Sequence, residues 1–236
     1  MGEETRPLTD RRLTTPRAAA VAGILFGVLL ITANVLIRLS TPPNPGDAGV
    51  WLEEQASTVV LALSLVPIAG IAFLWFIGVV RDRMGQLEDR FFSSVFFGSG
   101  LLYLAMTFAA AAMAGGLLTS YAFQSDNLIA SGVYSYSRAV MYRITNVYAT
   151  RMAGVFMISL GTISVRTRIL HRGLAFLTYA LALFLLLSIG LSLWVSLIFP
   201  SWVLIISIYI LVLNLRRKDA GAAGDLPGVT EKGIIE

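Results

Sequence analysis

Long apolar runs alternate with short polar clusters along the chain. Ala18–Ile37, Ser57–Val80, Phe91–Leu118 and Ala149–Val165 are apolar almost throughout. From Gly173 to Leu215 no charge occurs until Arg216. A helix that crosses a bilayer takes roughly 20 mostly apolar residues, so each of the first four runs predicts one crossing. The last run is too long for one crossing and predicts two. The turn between them falls near Gly190–Trp194, or just before Pro200, a residue suited to the first turn of a helix. The pattern therefore predicts an all-α, polytopic integral membrane protein with six transmembrane helices. Residues 1–17 form a cytoplasmic tail, and 18–215 form the six-helix domain with outer segments 38–56 and 119–148. Residues 216–236 form a second cytoplasmic tail.

The sidedness comes from the cations. Arg6, Arg11, Arg12 and Arg17 precede the first run. Arg81, Arg83 and Arg90 lie between the second and third, and Arg166, Arg168 and Arg172 between the fourth and fifth. Arg216, Arg217, Lys218 and Lys232 follow the last. Of the 18 cations, only Arg38, Arg138, Arg143 and Arg151 fall on the other side. Cytoplasmic loops are the lysine- and arginine-rich ones, so both termini are placed inside, and an odd number of crossings would spoil the segregation. The location expected is the plasma (cytoplasmic) membrane. The first run is too long for a cleaved signal peptide and no small-residue cleavage site follows it.

Composition agrees with this class. Hydrophobic residues make up 56% of the 236, charged residues 14%, and mean hydropathy is +0.76, against about 25% charged in soluble domains. The sequence has no cysteine, which excludes disulfides, thiolate metal sites and cysteine nucleophiles. His171 alone cannot build a multi-histidine site. No Asp, Glu or Lys lies inside a predicted span, which weighs against ion-coupled transport through a membrane carboxylate. Hydrolase, phosphate-loop and zinc-protease motifs do not occur. No cofactor, metal or nucleic-acid partner is expected.

Small residues suggest how the helices pack. Gly23, Gly27 and Asn34 share one face of the first helix, the predicted packing face. The run FAAAAMAGG, Phe108–Gly116, predicts that the third helix is the most buried, and Pro67 predicts a kink in the second. One short segment resembles a known motif. GVVRDRMGQ, Gly78–Gln86, resembles the G-x-L-x-D-R-x-G-R-R/K loop of major facilitator transporters, at the same place between the second and third helices. Gly78, Asp82, Arg83 and Gly85 match, whereas Val80, Gln86 and Leu87 depart from the pattern. Those transporters have twelve spans and the likeness covers only this loop, so it assigns no family.

The most unusual stretch is YSYSRAVMYRITNVYATRM, Tyr134–Met152, with three arginines, four tyrosines, an asparagine and no acid. Gly132 is a natural breaker, and a helix from Val133 to Val165 is expected, roughly 50 Å long at 1.5 Å per residue. Tyr134, Arg138, Tyr142 and Thr145 form one stripe, and Arg143, Asn146 and Thr150 another. Arg151 is the cation closest to the hydrocarbon. The candidate site is Arg138, Arg143, Asn146, Arg151, Tyr142, Tyr148 and Asn34, either binding an anion or lipid headgroup or serving as a structural clamp. The acids expected to pair with it are Asp47, Glu53, Glu54 and Asp126. Asp47 is also read as the N-cap of a helix through Trp51. The functional expectation is a non-enzymatic membrane protein. It would bind a lipid, a small amphiphile or anion, or a partner protein at its outer face, with homo-oligomerisation open. A small-solute permease acting as an oligomer and a membrane-embedded lipid-modifying enzyme are the alternatives.

Overall fold

In a computed structural model, residues 15–42, 49, 51–84, 90–166, 172–188 and 193–224 are described, and the structural statements below concern these. Among them every regular element is helical: α1 Thr15–Ser40, α2 Trp51–Glu54, α3 Ala56–Met84, α4 Arg90–Ala130, α5 Val133–Arg143, a π-helical turn Ile144–Ala149, α6 Thr150–Arg166, α7 Arg172–Leu187, a 3₁₀ turn Leu193–Leu197 and α8 Ile198–Gly224. Five helical segments are long and apolar enough to cross a membrane: Ala18–Ser40, Ala56–Arg81, Phe91–Phe123, Val133–Val165 and Trp194–Leu215. The long uncharged run does break in two. Its first half is α7, apolar but only 16 residues long.

Inside such helices the backbone satisfies itself, and side-chain hydroxyls must do the same. They do so locally. Ser99, Thr107, Ser159, Thr162 and Thr178 each donate to the carbonyl four residues earlier, the back-bonding available to short hydroxyl side chains in helices. Two polar contacts then tie helices together. Trp202 Nε1 donates to Thr178 Oγ1 at 2.9 Å, and Tyr179 Oη donates to Thr162 Oγ1 at 3.0 Å. Through them α7 is held to both α8 and α6.

The centre of the bundle is aromatic. Phe26 of α1 stacks on Phe73 of α3 with centroids 4.4 Å apart, and Phe96 of α4 lies 4.4 Å from Phe156 of α6. Phe199 of α8 meets Phe73, Tyr103 and Phe156 at 5.7, 4.4 and 5.4 Å. Five long helices thus contribute rings to one cluster, at the offset and edge-on separations that aromatic pairs favour.

The small-residue face of α1 packs as its spacing predicts. A Cβ on Gly23 would run into Ser207 Oγ, and one on Gly27 would sit 2.8 Å from Leu204 Cβ and 3.0 Å from the Pro200 carbonyl. Both glycines let α8 approach the backbone of α1 closely. The expectation for α4 is corrected. Its apolar window is the least buried of the five at 28%, whereas that of Val133–Val165 is the most buried at 61%. Small side chains on α4 do not draw neighbours in all round. Gly115 and Gly116 have nothing within 4 Å of a would-be Cβ, and Ala110, Ala111 and Ala114 face an open space described below. The helix richest in polar residues is buried instead, because the bundle shields its polar side.

This packing predicts a sharp contrast between two glycines. Gly27→Val should lower the thermal stability of the detergent-solubilised protein by about 1–3 kcal/mol, the usual cost of overpacking. Gly116→Ala should be neutral or raise it by up to about 1 kcal/mol, the helix preference for alanine. Differential scanning fluorimetry checks both.

A candidate amphiphile site beside the arginine helix

The site begins at Gly132. This residue adopts φ +75°, the left-handed region open to glycine, and reverses the chain between α4 and α5. Val133 then opens a helix that runs to Arg166 with one irregularity, the π turn at Ile144–Ala149. There each N–H reaches one residue further back than in an α-helix, a distortion that occurs mostly as single turns and often at functional sites. Side chains support the widened turn. Asn146 Nδ2 donates to the Tyr142 carbonyl at 3.2 Å, Thr150 Oγ1 to the Thr145 carbonyl at 2.9 Å, and Arg151 Nη1 to the Val147 carbonyl at 2.9 Å.

The π turn changes which residues share a face. Arg138, Tyr142 and Thr145 line one cavity, as their stripe predicts, and Asn146 and Thr150 join them there. Arg143 is exposed and takes no part. The cavity has a volume of about 200 Å³. Its apolar floor includes Tyr103, Ala110 and Ala114 of α4, Leu185 of α7 and Phe199 of α8, and it is therefore continuous with the aromatic cluster. Its polar part is formed by Asn34 and Arg38 of α1, Arg138 and Tyr142 of α5, and Thr145 and Asn146 of the π turn. Trp51 and residues 194–197 of the 3₁₀ turn complete the wall. The C-terminal ends of α1, α4 and α7 and the N-terminal ends of α3, α6 and α8 all meet here, at one end of the bundle.

Arg138 is held firmly. Its Nη2 donates to the Pro42 carbonyl at 2.6 Å and its Nη1 to Tyr134 Oη at 3.0 Å. Its guanidinium also lies 5.9 Å from the Trp51 ring centroid and 5.7 Å from that of Tyr134, within cation–π range. Trp51 Nε1 donates to the same Tyr134 Oη at 2.7 Å. The phenol of Tyr134, itself 1% exposed, thus joins α2 to α5. Arg38 lies close enough to feel the charge of Arg138. Arg38 and Arg138 are the charged side chains among the described residues that line the cavity.

Asn34, Arg138, Tyr142 and Asn146 of the predicted site come together in the cavity. Arg143 and Tyr148 are exposed, with Tyr148 57% accessible. Arg151 donates from Nη1 to the Val147 carbonyl of its own helix. Glu53 and Glu54 are exposed and form no ion pair among the described residues. Arg138 is held by the Pro42 carbonyl, the Tyr134 hydroxyl and two aromatic rings. Asp47 lies outside the described residues, and of the Asp126 side chain nothing is described. Sequence reasoning missed Arg38 as a site residue. Its signal was its spacing of four from Asn34, which puts both on one helical face. Thr145 and the 3₁₀ turn were also missed as walls, the latter because a tight turn has no periodicity to read.

Guanidinium, amide, hydroxyl and indole groups around an apolar floor offer chemistry for an anionic or polar head with a hydrocarbon part. Among the described residues no three His, Asp or Glu side chains converge to hold a metal. Comparison with known proteins adds no assignment: the chain matches no protein-family model, no curated protein and no solved structure. The transporter-like loop therefore stands as a local likeness, and Gly85 and Gln86 within it lie outside the described residues.

The Trp51–Tyr134–Arg138 link predicts a measurable cost. Tyr134→Phe keeps the ring but leaves the buried Trp51 N–H without its acceptor, and should destabilise by about 1–3 kcal/mol. Tyr136→Phe, at a residue 70% exposed, should change little. Thermal unfolding followed by tryptophan fluorescence separates the two.

Proposed function

We propose that this is a six-span protein of the cytoplasmic membrane, with both termini inside, that binds a small amphiphile, lipid or anion in a cavity at its outer end and does no chemistry on it. One observation carries the reading: a cavity with a hydrocarbon and aromatic floor places Arg38 at its polar end with no acid among the described residues that line it. A negative head meets Arg38, and an apolar portion covers the floor. Neither half alone matches the lining. The lining side chains are binding groups. None of them is a histidine, carboxylate or lysine able to act as an acid or base at neutral pH.

Six crossings are supported by the way α7 is bonded into the bundle. Although its 16 residues span only about 24 Å, Leu185 near its end reaches the same cavity as Arg38 and Phe199. Gly154 of α6 abuts Ala182 and Leu186, and Gly161 abuts Thr178, so α6 and α7 run antiparallel along their length. The segregation of cations supports internal termini.

Two experiments test this. Native mass spectrometry of protein extracted in mild detergent should show a retained anionic adduct. Arg38→Ala should weaken its retention about tenfold or more, as loss of a charged hydrogen-bonding group does, and Arg143→Ala, at an exposed position, should not. Equal adducts in all three proteins would rule out the cavity as their site. A reporter fused after residue 236 should be active only in its cytoplasmic form. Activity of an external reporter would exclude six crossings.

A further inference from the structure

Asn146 is the one cavity residue whose hydrogen bonding is both fixed and incomplete. It is 9% exposed, and its Oδ1 is fully buried with no hydrogen-bond partner. Its Nδ2 donates to the Tyr142 carbonyl, which sets the orientation of the amide. Turning it over would press Oδ1 against that carbonyl oxygen, acceptor against acceptor. Asn146 itself lines the cavity, so this acceptor lies just behind the cavity surface and meets a donor once a lining side chain shifts aside. Leaving a buried acceptor unpaired is costly, so a molecule that presents a donor there gains from it. Arg38, from the facing helix α1, lines the same space and offers donors and positive charge. The site thus asks for two different things at once, an acceptor or anion for the guanidinium and a donor for the amide oxygen.

A donor can be an ammonium or a hydroxyl. With Arg38 lining the cavity and no acid among its described lining residues, an ammonium would meet a positive charge there. A neutral hydroxyl meets no such penalty. The volume limits the rest. A cavity of about 150 Å³ accepts a benzene ring, so the 200 Å³ here takes a head and a short hydrocarbon portion, on the order of ten heavy atoms. Resting on the binding role above, the geometry points to an anion that carries its own hydroxyl group close to the acid, attached to an apolar chain. The hydroxyl donates to Asn146 Oδ1, the acid meets Arg38, and the chain covers Tyr103 and Phe199. A free hydroxy acid and the hydroxylated headgroup of an anionic lipid share this chemistry.

Matched probes test the hydroxyl directly on the full chain. In an uncharged detergent, isothermal titration compares 3-hydroxyoctanoate with octanoate. In a second arm, native mass spectrometry compares retention of phosphatidylglycerol with that of phosphatidylmethanol, which has the same charge and no hydroxyl. Binding of the hydroxy acid about tenfold tighter than octanoate supports the inference with a free acid as the source. Preferential retention of phosphatidylglycerol supports it with a lipid as the source. In either case Asn146→Ala should shrink the preference to within about twofold, whereas Arg38→Ala should weaken both members of a pair together. A preference that survives in Asn146→Ala overturns the assignment to this residue. Equal binding of hydroxylated and plain probes in wild-type protein overturns the hydroxyl requirement, since water then completes Asn146, yet leaves the anion-binding role intact. If no probe binds in either arm, that role falls and the inference falls with it. The wild-type comparison decides the question even if an Asn146 variant does not fold.

Discussion

The structure depends on keeping one side of a single helix away from hydrocarbon. Residues 133–166 form a helical rod with Arg138, Tyr142, Asn146, Thr150 and Arg151 on it, and lipid offers nothing to hydrogen-bond them. Such a rod is stable in a membrane only if other helices cover its polar side and its charges find partners. This protein does both. The rod becomes the most buried of the five long apolar segments, and several of its donors are turned onto a nearby carbonyl or ring: Arg138 onto Pro42, Tyr134 and Trp51, Arg151 onto Val147, and Thr150 onto Thr145.

Covering the rod sets the roles of the other helices. α1 and α8 lie close because Gly23 and Gly27 permit it, and this brings Phe26, Phe73 and Phe199 into one cluster. α4 serves differently. It is long, largely exposed, and presents alanines rather than bulky side chains toward the rod. Small side chains opposite a polar helix leave a gap instead of a seam. The aromatic cluster closes the gap below, and Trp51 and the 3₁₀ turn flank it above. The cavity is thus a consequence of how a polar helix is buried by apolar ones.

Much of this could be read in the chain. Apolar runs locate the helices, because backbone satisfaction in lipid leaves helix as the economical choice. Gly132 marks the reversal before α5, and Gly23 with Gly27 marks the close face of α1, since both rest on local sterics. Of the candidate site residues that reach the cavity, Arg138 and Tyr142 do so for the same reason, being on one stripe that periodicity defines. The rest depends on features that spacing does not encode. A π turn displaces everything after Ile144 around the axis, so Asn146 joins Arg138 while Arg143 is left outside. Pairing of arginines with acids is the obvious expectation from charge, but a guanidinium also binds carbonyls and aromatic faces, as Arg138 does here. The burial of α4 was misjudged because small residues were read as tight packing, when they can equally line a void.

That void bears on what the bundle is for. Empty space inside a helical bundle is destabilising in proportion to its volume, and a larger side chain at Ala110, Ala111 or Ala114 would fill it at no cost in apolar character. The half-buried guanidinium of Arg38, with no acid among the described lining residues, adds a further cost, as does the unpaired oxygen of Asn146. These three costs fall on one wall-to-wall region, and each is relieved by the same kind of molecule: the apolar chain fills volume, the acid meets Arg38, and the hydroxyl completes the amide. Packing considerations alone would remove each defect separately, by a leucine, an uncharged residue or an aliphatic one. Their coincidence around one cavity is what makes ligand binding a better account of the site than structural bracing, which the Trp51–Tyr134–Arg138 link already supplies beside it.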